Sequence, residues 1–112
     1  MITTNEKDHE YRSGEHGPKY LMKGPRCSFG TCRVLPGQVY APHKHERMEE
    51  NFFILEGTPT FIVDGKVFES KPGDFIHLEP GEAHQVENHG DQACIYIINT
   101  TPFFPEGDKV MV

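Results

Sequence analysis

The sequence predicts an all-β sandwich or barrel, and three observations carry that prediction. Runs of roughly four to eight residues alternate apolar with polar side chains. Gly, Pro and Asp-Gly turns separate them at spacings of about 8–12 residues. No segment shows the apolar period of about 3.6 residues that marks a helix.

The elements follow in order. Residues 1–18 are polar, with Gly14, Gly17 and Pro18 near their end. They are expected to form an N-terminal arm, either a mobile tail or an edge strand lent to a neighbour, with His9 and His16 solvated. A single barrel domain is expected over 19–112. Lys19–Lys23 and Cys27–Leu35 read as strands around a Gly24-Pro25 break. In the second, Gly30, Cys32 and Val34 share one face, and Thr31 and Arg33 the other. Pro36-Gly37 is a turn. Val39–His45 is the next strand, residues 46–49 a polar connector, and Glu50–Glu56 a strand stopped by Gly57. Thr60–Val63 and Lys66–Glu69 flank Asp64-Gly65, a two-residue hairpin signal. Phe75–Leu78 and His84–Asn88 lie on either side of Pro80-Gly81. Ala93–Asn99 is a nearly unbroken apolar run, as suits a strand buried on both faces. Residues 100–112 are expected to form a C-terminal arm whose Pro102, Phe103, Phe104 and Pro105 cover one mouth or an interface.

Composition narrows the function classes. A chain of 112 residues is one domain and buries about 65 % of its unfolded surface, enough for a core without disulfide staples. No apolar run approaches the roughly 18 residues of a membrane span. The N-terminus lacks the basic start and apolar stretch of a signal peptide, so the cytoplasm is the expected address. Three cysteines read as free thiols in a reducing compartment. They are taken as small buried filler, with Cys32 facing the cavity as the alternative. A formal charge of −6 argues against nucleic acid and anionic membranes as partners.

Seven histidines is a high count, and five fall between residues 43 and 89. His43 and His45 are two apart, which on a strand puts both imidazoles on one face. Glu50 follows after four residues, enough to turn a corner, and then shares a face with Phe52 and Ile54. Two histidines and a carboxylate brought together across a strand pair are the raw material of a metal site. His84 lies on a strand whose alternation turns it inward with Val86 and Asn88. Glu49 is the rival to Glu50, but strand parity favours Glu50 and leaves Glu49 solvated. His77 is either a residue that holds a ligand by hydrogen bond or an exposed strand histidine, the latter preferred. His89 is expected to be exposed.

Two linked blocks resemble the cupin motifs. The first runs Gly37, five residues, His43, Lys44, His45, four residues, Glu50, six residues, Gly57. The second runs Gly73, five residues, Glu79, Pro80, Gly81, two residues, His84, three residues, Asn88. Glu79 departs from the proline usual there, a turn position that does not touch the ligands. The blocks span residues 37–88, about half the chain. The resemblance implies a double-stranded β-helix, the jelly-roll barrel, with His43, His45, Glu50 and His84 as ligands to one divalent metal ion.

Three neutral imidazoles and one carboxylate around a divalent cation leave a charge of +1, which favours an anionic or polarisable oxygen ligand. Octahedral coordination leaves two positions open and suits iron, manganese, nickel or cobalt; copper is compatible. Tetrahedral zinc would close the site. The resemblance implies three classes of function. The first is a metal-dependent enzyme, a dioxygenase or a sugar or sugar-phosphate isomerase or lyase, with a Phe-rich wall from Phe52, Phe29 and Phe61 leaning the choice towards the oxygenase. The second is a non-catalytic module that binds a small molecule. The third is a barrel that the metal only staples. An isomerase needs a base, and Glu79 at the barrel mouth is the carboxylate that could reach in. Phe53, Leu55 and the aromatic C-terminal arm are expected in a homodimer interface.

Overall fold

The computed structural model describes residues 1–102 and 107–112. Within them a short 3₁₀ turn, Glu6–Asp8, precedes ten strands. These are β1 Gly17–Lys23, β2 Ser28–Val34, β3 His43–His45, β4 Glu49–Glu56, β5 Thr60–Val63, β6 Lys66–Glu69, β7 Phe75–Leu78, β8 His84–Glu87, β9 Cys94–Thr101 and β10 Lys109–Met111. They form two antiparallel five-stranded sheets, ordered β1-β2-β9-β4-β7 and β10-β3-β8-β5-β6. This is the jelly-roll barrel that the cupin resemblance implies, and the all-β class that the alternation predicts.

Parity decides what each strand buries. In β4, Glu50, Phe52 and Ile54 are buried while Phe53, Leu55 and Glu56 are exposed. In β2, Ser28, Gly30, Cys32 and Val34 are buried and Phe29 is exposed. The core between the sheets centres on three rings. Phe52 lies 5.4 Å from both Phe61 and Tyr96, and Phe61 lies 5.6 Å from Tyr96, centroid to centroid. Such edge-on and tilted contacts add to what area burial alone contributes.

Several boundaries differ from expectation. Only His43–His45 of the segment 39–45 is a strand. Pro42 has no N–H to give a ladder, and Val39 makes an isolated bridge to Glu87. The connector after His45 is not wholly polar in its role: Met48 is 1 % exposed. β9 buries Cys94, Tyr96 and Thr100 and leaves its isoleucines half-buried, so it is covered more fully on one face than on the other. The arm is not a loose tail. Lys19, itself buried, pairs with Glu6 and stacks over Tyr11, its ammonium 4.5 Å from the ring centroid. The C-terminal segment returns as β10 beside β3; Phe103, Phe104 and Pro105 lie outside the described residues.

Asn88 shows why a motif asparagine closes a corner. It is fully buried, and its Nδ2 donates to the Val34 and Gln92 carbonyls while its Oδ1 accepts from the Gly90 amide. Gly57, which stops β4, has a φ of 78°, and a Cβ there would stand 2.9 Å from the Cys94 Cα. Both the backbone and the space demand glycine. Gly57→Ala is therefore expected to cost ~2 kcal/mol and to lower the melting temperature by ~8 °C in a thermal unfolding scan; an unchanged midpoint would contradict this.

Candidate metal centre

The two sheets contribute unequally to the site. β3 presents His43 and His45 on one face, and His43 pairs directly with His84 of β8 in the same sheet. Glu50 reaches in from β4 of the other sheet. The imidazole centroids lie 5.1 Å (His43–His45), 4.4 Å (His43–His84) and 5.9 Å (His45–His84) apart. One donor atom from each of the four residues lies within 4.8 Å of every other. His45, Glu50 and His84 are buried and His43 is half-buried. The structure thus brings together all four residues that the motifs singled out.

Each imidazole is turned by an oxygen behind it. His84 Nδ1 donates to the Glu82 carbonyl at 2.9 Å, and His43 Nδ1 to the Ala41 carbonyl at 3.4 Å. A carbonyl only accepts, so in the neutral rings Nε2 carries the lone pair. His45 Nδ1 faces the Asp108 carboxylate at 3.4 Å. Asp108 is 1 % exposed and accepts from the Arg47 amide at 2.7 Å and the Met48 amide at 3.3 Å. Nothing in the sequence marks Asp108, which follows the apolar arm and sits 63 positions after His45 in the chain; a carboxylate behind a ligating histidine is nonetheless the usual arrangement.

The donor set fits a cation. Glu50 Oε1 stands 3.0 Å from His45 Nε2, and Oε2 stands 3.1 Å from His84 Nε2. His84 Nε2 is buried and aligned for no hydrogen bond. A buried carboxylate at that distance needs positive charge beside it, either a proton on an imidazole or a cation between the donors. Burial alone would raise the Glu50 carboxyl, but the two imidazoles reverse the sign and hold it at about 2. Burial alone would lower His84, and Glu50 turns the net direction upward. Burial, with His84 beside it, lowers His43 to about 4. Borderline nitrogen donors with one carboxylate suit a divalent transition-metal ion.

The four residues border a cavity of about 300 Å³. Phe52 and Val86 line it as expected, but Phe29 and Phe61 do not. Parity turns Phe29 outward, 40 % exposed, and Phe61 is wholly buried in the core. The rest of the wall is mixed: Pro18, Ala41, Ile98 and Met111 keep it largely apolar, while Tyr20, Tyr40, Tyr96, Arg12 and Lys109 add polar groups. Cys32 also lines it, buried, with burial pushing its thiol up to about 11. His16, expected in solvent, lines the cavity too, because the arm folds over the barrel mouth. Glu79 is exposed and stands 3.1 Å from His77 Nε2 rather than on the cavity wall. His77 is exposed, with its Nδ1 2.6 Å from Asn51 Oδ1. Glu49 groups with His77 and Glu79 on that outer face, apart from the four donors. His89 is exposed beside Glu87.

Comparison with known proteins gives the family and the fold. A family model for the cupin domain matches residues 30–99. The chain is 36 % identical over 73 residues to an oxalate-binding protein of Thermotoga maritima, covering 65 % of this chain and 60 % of that one. It is 38 % identical over 48 residues to quercetin 2,3-dioxygenase of Bacillus subtilis, covering 43 % of this chain and 14 % of that one. The chain thus spans at most 60 % of either relative. A solved double-stranded β-helix protein from Klebsiella pneumoniae superposes with a TM-score of 0.83 at 18 % identity, covering 100 % of this chain and 97 % of that one, a likeness of fold. With two spaced motifs, a jelly-roll barrel and a family match over most of its length, the chain belongs to the cupin domain family.

Proposed function

We propose that this cupin is a metal-dependent enzyme in which His43, His45, Glu50 and His84 hold one divalent ion and the adjoining cavity receives a small oxygen-bearing molecule for dioxygenase-like chemistry. The observation that carries this is the convergence of four donors on the wall of a cavity, where a ligand can meet them. Iron, manganese, nickel, cobalt, zinc and copper are all compatible with the donor types. Bound there, the ion supplies Lewis-acid polarisation and a template for the substrate oxygens, and a redox-active ion adds access to dioxygen. The chain's own residues do the rest. Phe52 and Val86 give the substrate an apolar wall, and Tyr20, Tyr40 and Tyr96 border the same space. Among the described residues Glu50 is the cavity's one carboxylate. An isomerase or lyase would therefore draw its base from His16 or a tyrosine, whereas an oxygenase acting on an already acidic substrate needs none.

A second reading, a non-catalytic module that captures a small anion, is supported by the oxalate-binding relative. Elemental analysis of protein purified without affinity metals, then oxygen uptake by the iron-loaded form with catechols, diketones, thiols and hydroxy acids, separates the two. Uptake favours the enzyme; saturable binding without turnover favours the module. Three free thiols suit a reducing compartment, and we place the protein in the cytoplasm on that ground.

His84→Ala is expected to abolish most metal content per chain while Glu49→Ala leaves it intact; equal losses would contradict the donor assignment. Asp108→Asn is expected to weaken metal affinity about 10–100-fold in competition with a chelator, because His45 loses the carboxylate that turns it; an unchanged affinity would contradict that role. A homodimer is proposed through the outer face of the first sheet, where Thr31, Ile97, Phe53 and Phe75 form one row across four strands. Phe53 and Phe75 are 40 % and 61 % exposed there. Light scattering at micromolar concentration should give twice the chain mass, and a clean monomer would overturn the proposal.

A further inference from the structure

The cavity has the opposite sign of charge to the chain that builds it. The whole protein has 17 acidic and 11 basic side chains. The cavity lining has two basic ones, Arg12 and Lys109, against the single carboxylate of Glu50. Neither cation belongs to the stretch that the cupin model matches, residues 30–99, which holds all four donors. Arg12 comes from the arm and Lys109 from β10.

The arm is built to hold its residues over the mouth. The Arg12 amide donates to the Pro18 carbonyl at 2.9 Å, the Ser13 amide to the His16 carbonyl at 3.1 Å, and the Gly14 amide to the Tyr11 carbonyl at 3.0 Å. From outside, Arg33 Nη1 donates to the Glu15 carbonyl at 3.0 Å. The turn is therefore tied at both ends, and Arg12, Ser13 and His16 all line the cavity. The Arg12 guanidinium carbon lies 5.9 Å from the Tyr20 ring centroid on the same wall. His16 Nδ1 is buried and has no hydrogen-bond partner. From the other side, Lys109 and Met111 alternate with Val110 and face in.

We infer that this rim is an oxyanion-binding site: the ligand carries a carboxylate or phosphate group that the Arg12 guanidinium receives, with Lys109 on the opposite side of the mouth. The planar fork of Arg12 matches either group with two parallel hydrogen bonds. Arg12 and Lys109 leave the cavity at +1 after Glu50 is counted, and a divalent ion raises this to +3, so a dianion is the favoured charge. A space of about 300 Å³ lies at the small end of ligand cavities, which suits a small ligand. The inference rests on the metal reading only for the ligand's other end. It places ligand selection in the segments that flank the family's matched region.

The test is calorimetric titration of the full chain, as purified and after chelator dialysis, with malonate, inorganic phosphate and the neutral malonamide. Malonate or phosphate should bind, and which one binds tighter names the group. Malonamide should bind far more weakly. Arg12→Ala should weaken the preferred anion about ten- to hundredfold, with Arg12→Lys intermediate and metal content and melting temperature unchanged. Raised salt should weaken the anion as well. Equal affinity in Arg12→Ala, malonamide binding as tightly as malonate, or no anion binding at millimolar concentration would overturn the inference. Elemental analysis keeps the two readings apart. A metal-free protein with Arg12-dependent anion binding retains the rim and loses the metal. A metal-loaded protein indifferent to Arg12→Ala does the reverse.

Discussion

One carboxylate standing between two imidazoles sets the terms for the rest of the molecule. Apolar packing between two sheets is non-directional, and by itself it tolerates small slides of one sheet over the other. Glu50 does not. It belongs to β4 of one sheet and is buried against His45 and His84 of the other. A buried carboxylate costs several kcal/mol unless positive charge meets it, so the sheets are held where the oxygens reach the nitrogens. Slipping β3 by a single residue would turn His43 and His45 away and bring Lys44 in. Register and site are therefore the same constraint, and the four donors are also the polar bolt between the two layers.

The backs of the imidazoles complete that constraint. Carbonyl oxygens at 41 and 82 and the Asp108 carboxylate turn three rings so that their other nitrogens converge. Asp108 lies just before β10, and Lys109 is the first residue of that strand. One short strand thus props His45 from behind and contributes a cation to the cavity. The arm does a similar double task, because Glu6 and Tyr11 seat it on Lys19 while its next residues reach over the mouth. The centre of the chain supplies the four converging donors, and its two ends line the cavity beside them.

Much of this was legible because strand parity is a strong local rule. Glu50 over Glu49, and Cys32 with Val34, follow from counting by two, and the structure buries them together. The Asp64-Gly65 hairpin falls where the dipeptide puts it, with Asp64 at a φ of 47°. What was not legible is contact between segments distant in the chain. His16 sits in a turn-rich stretch that reads as solvent, and only the folding of the arm over the mouth brings it in. Phe29 and Phe61 share the chemistry of Phe52, but one faces out and the other is enclosed by rings. Asp108 has no periodic neighbours at all. Local pattern predicts which way a residue points; it does not say what waits there.

The arrangement also bears on whether a bound ion would be closed off or open to a ligand. A structural tetrahedral site needs four donors and nothing more, and it gains from being sealed. Here all four donor residues border a cavity of about 300 Å³. That space is not lined as a mere packing fault would be. Genuinely empty cavities are apolar, whereas this one carries three tyrosines, an arginine, a lysine and a histidine with an unsatisfied nitrogen. Arg12 and Lys109 are exposed at its rim, so their charges stay solvated and face whatever enters. A cation held by the four donors would therefore face an open space rather than a sealed core, and the proposed ligand would meet it there.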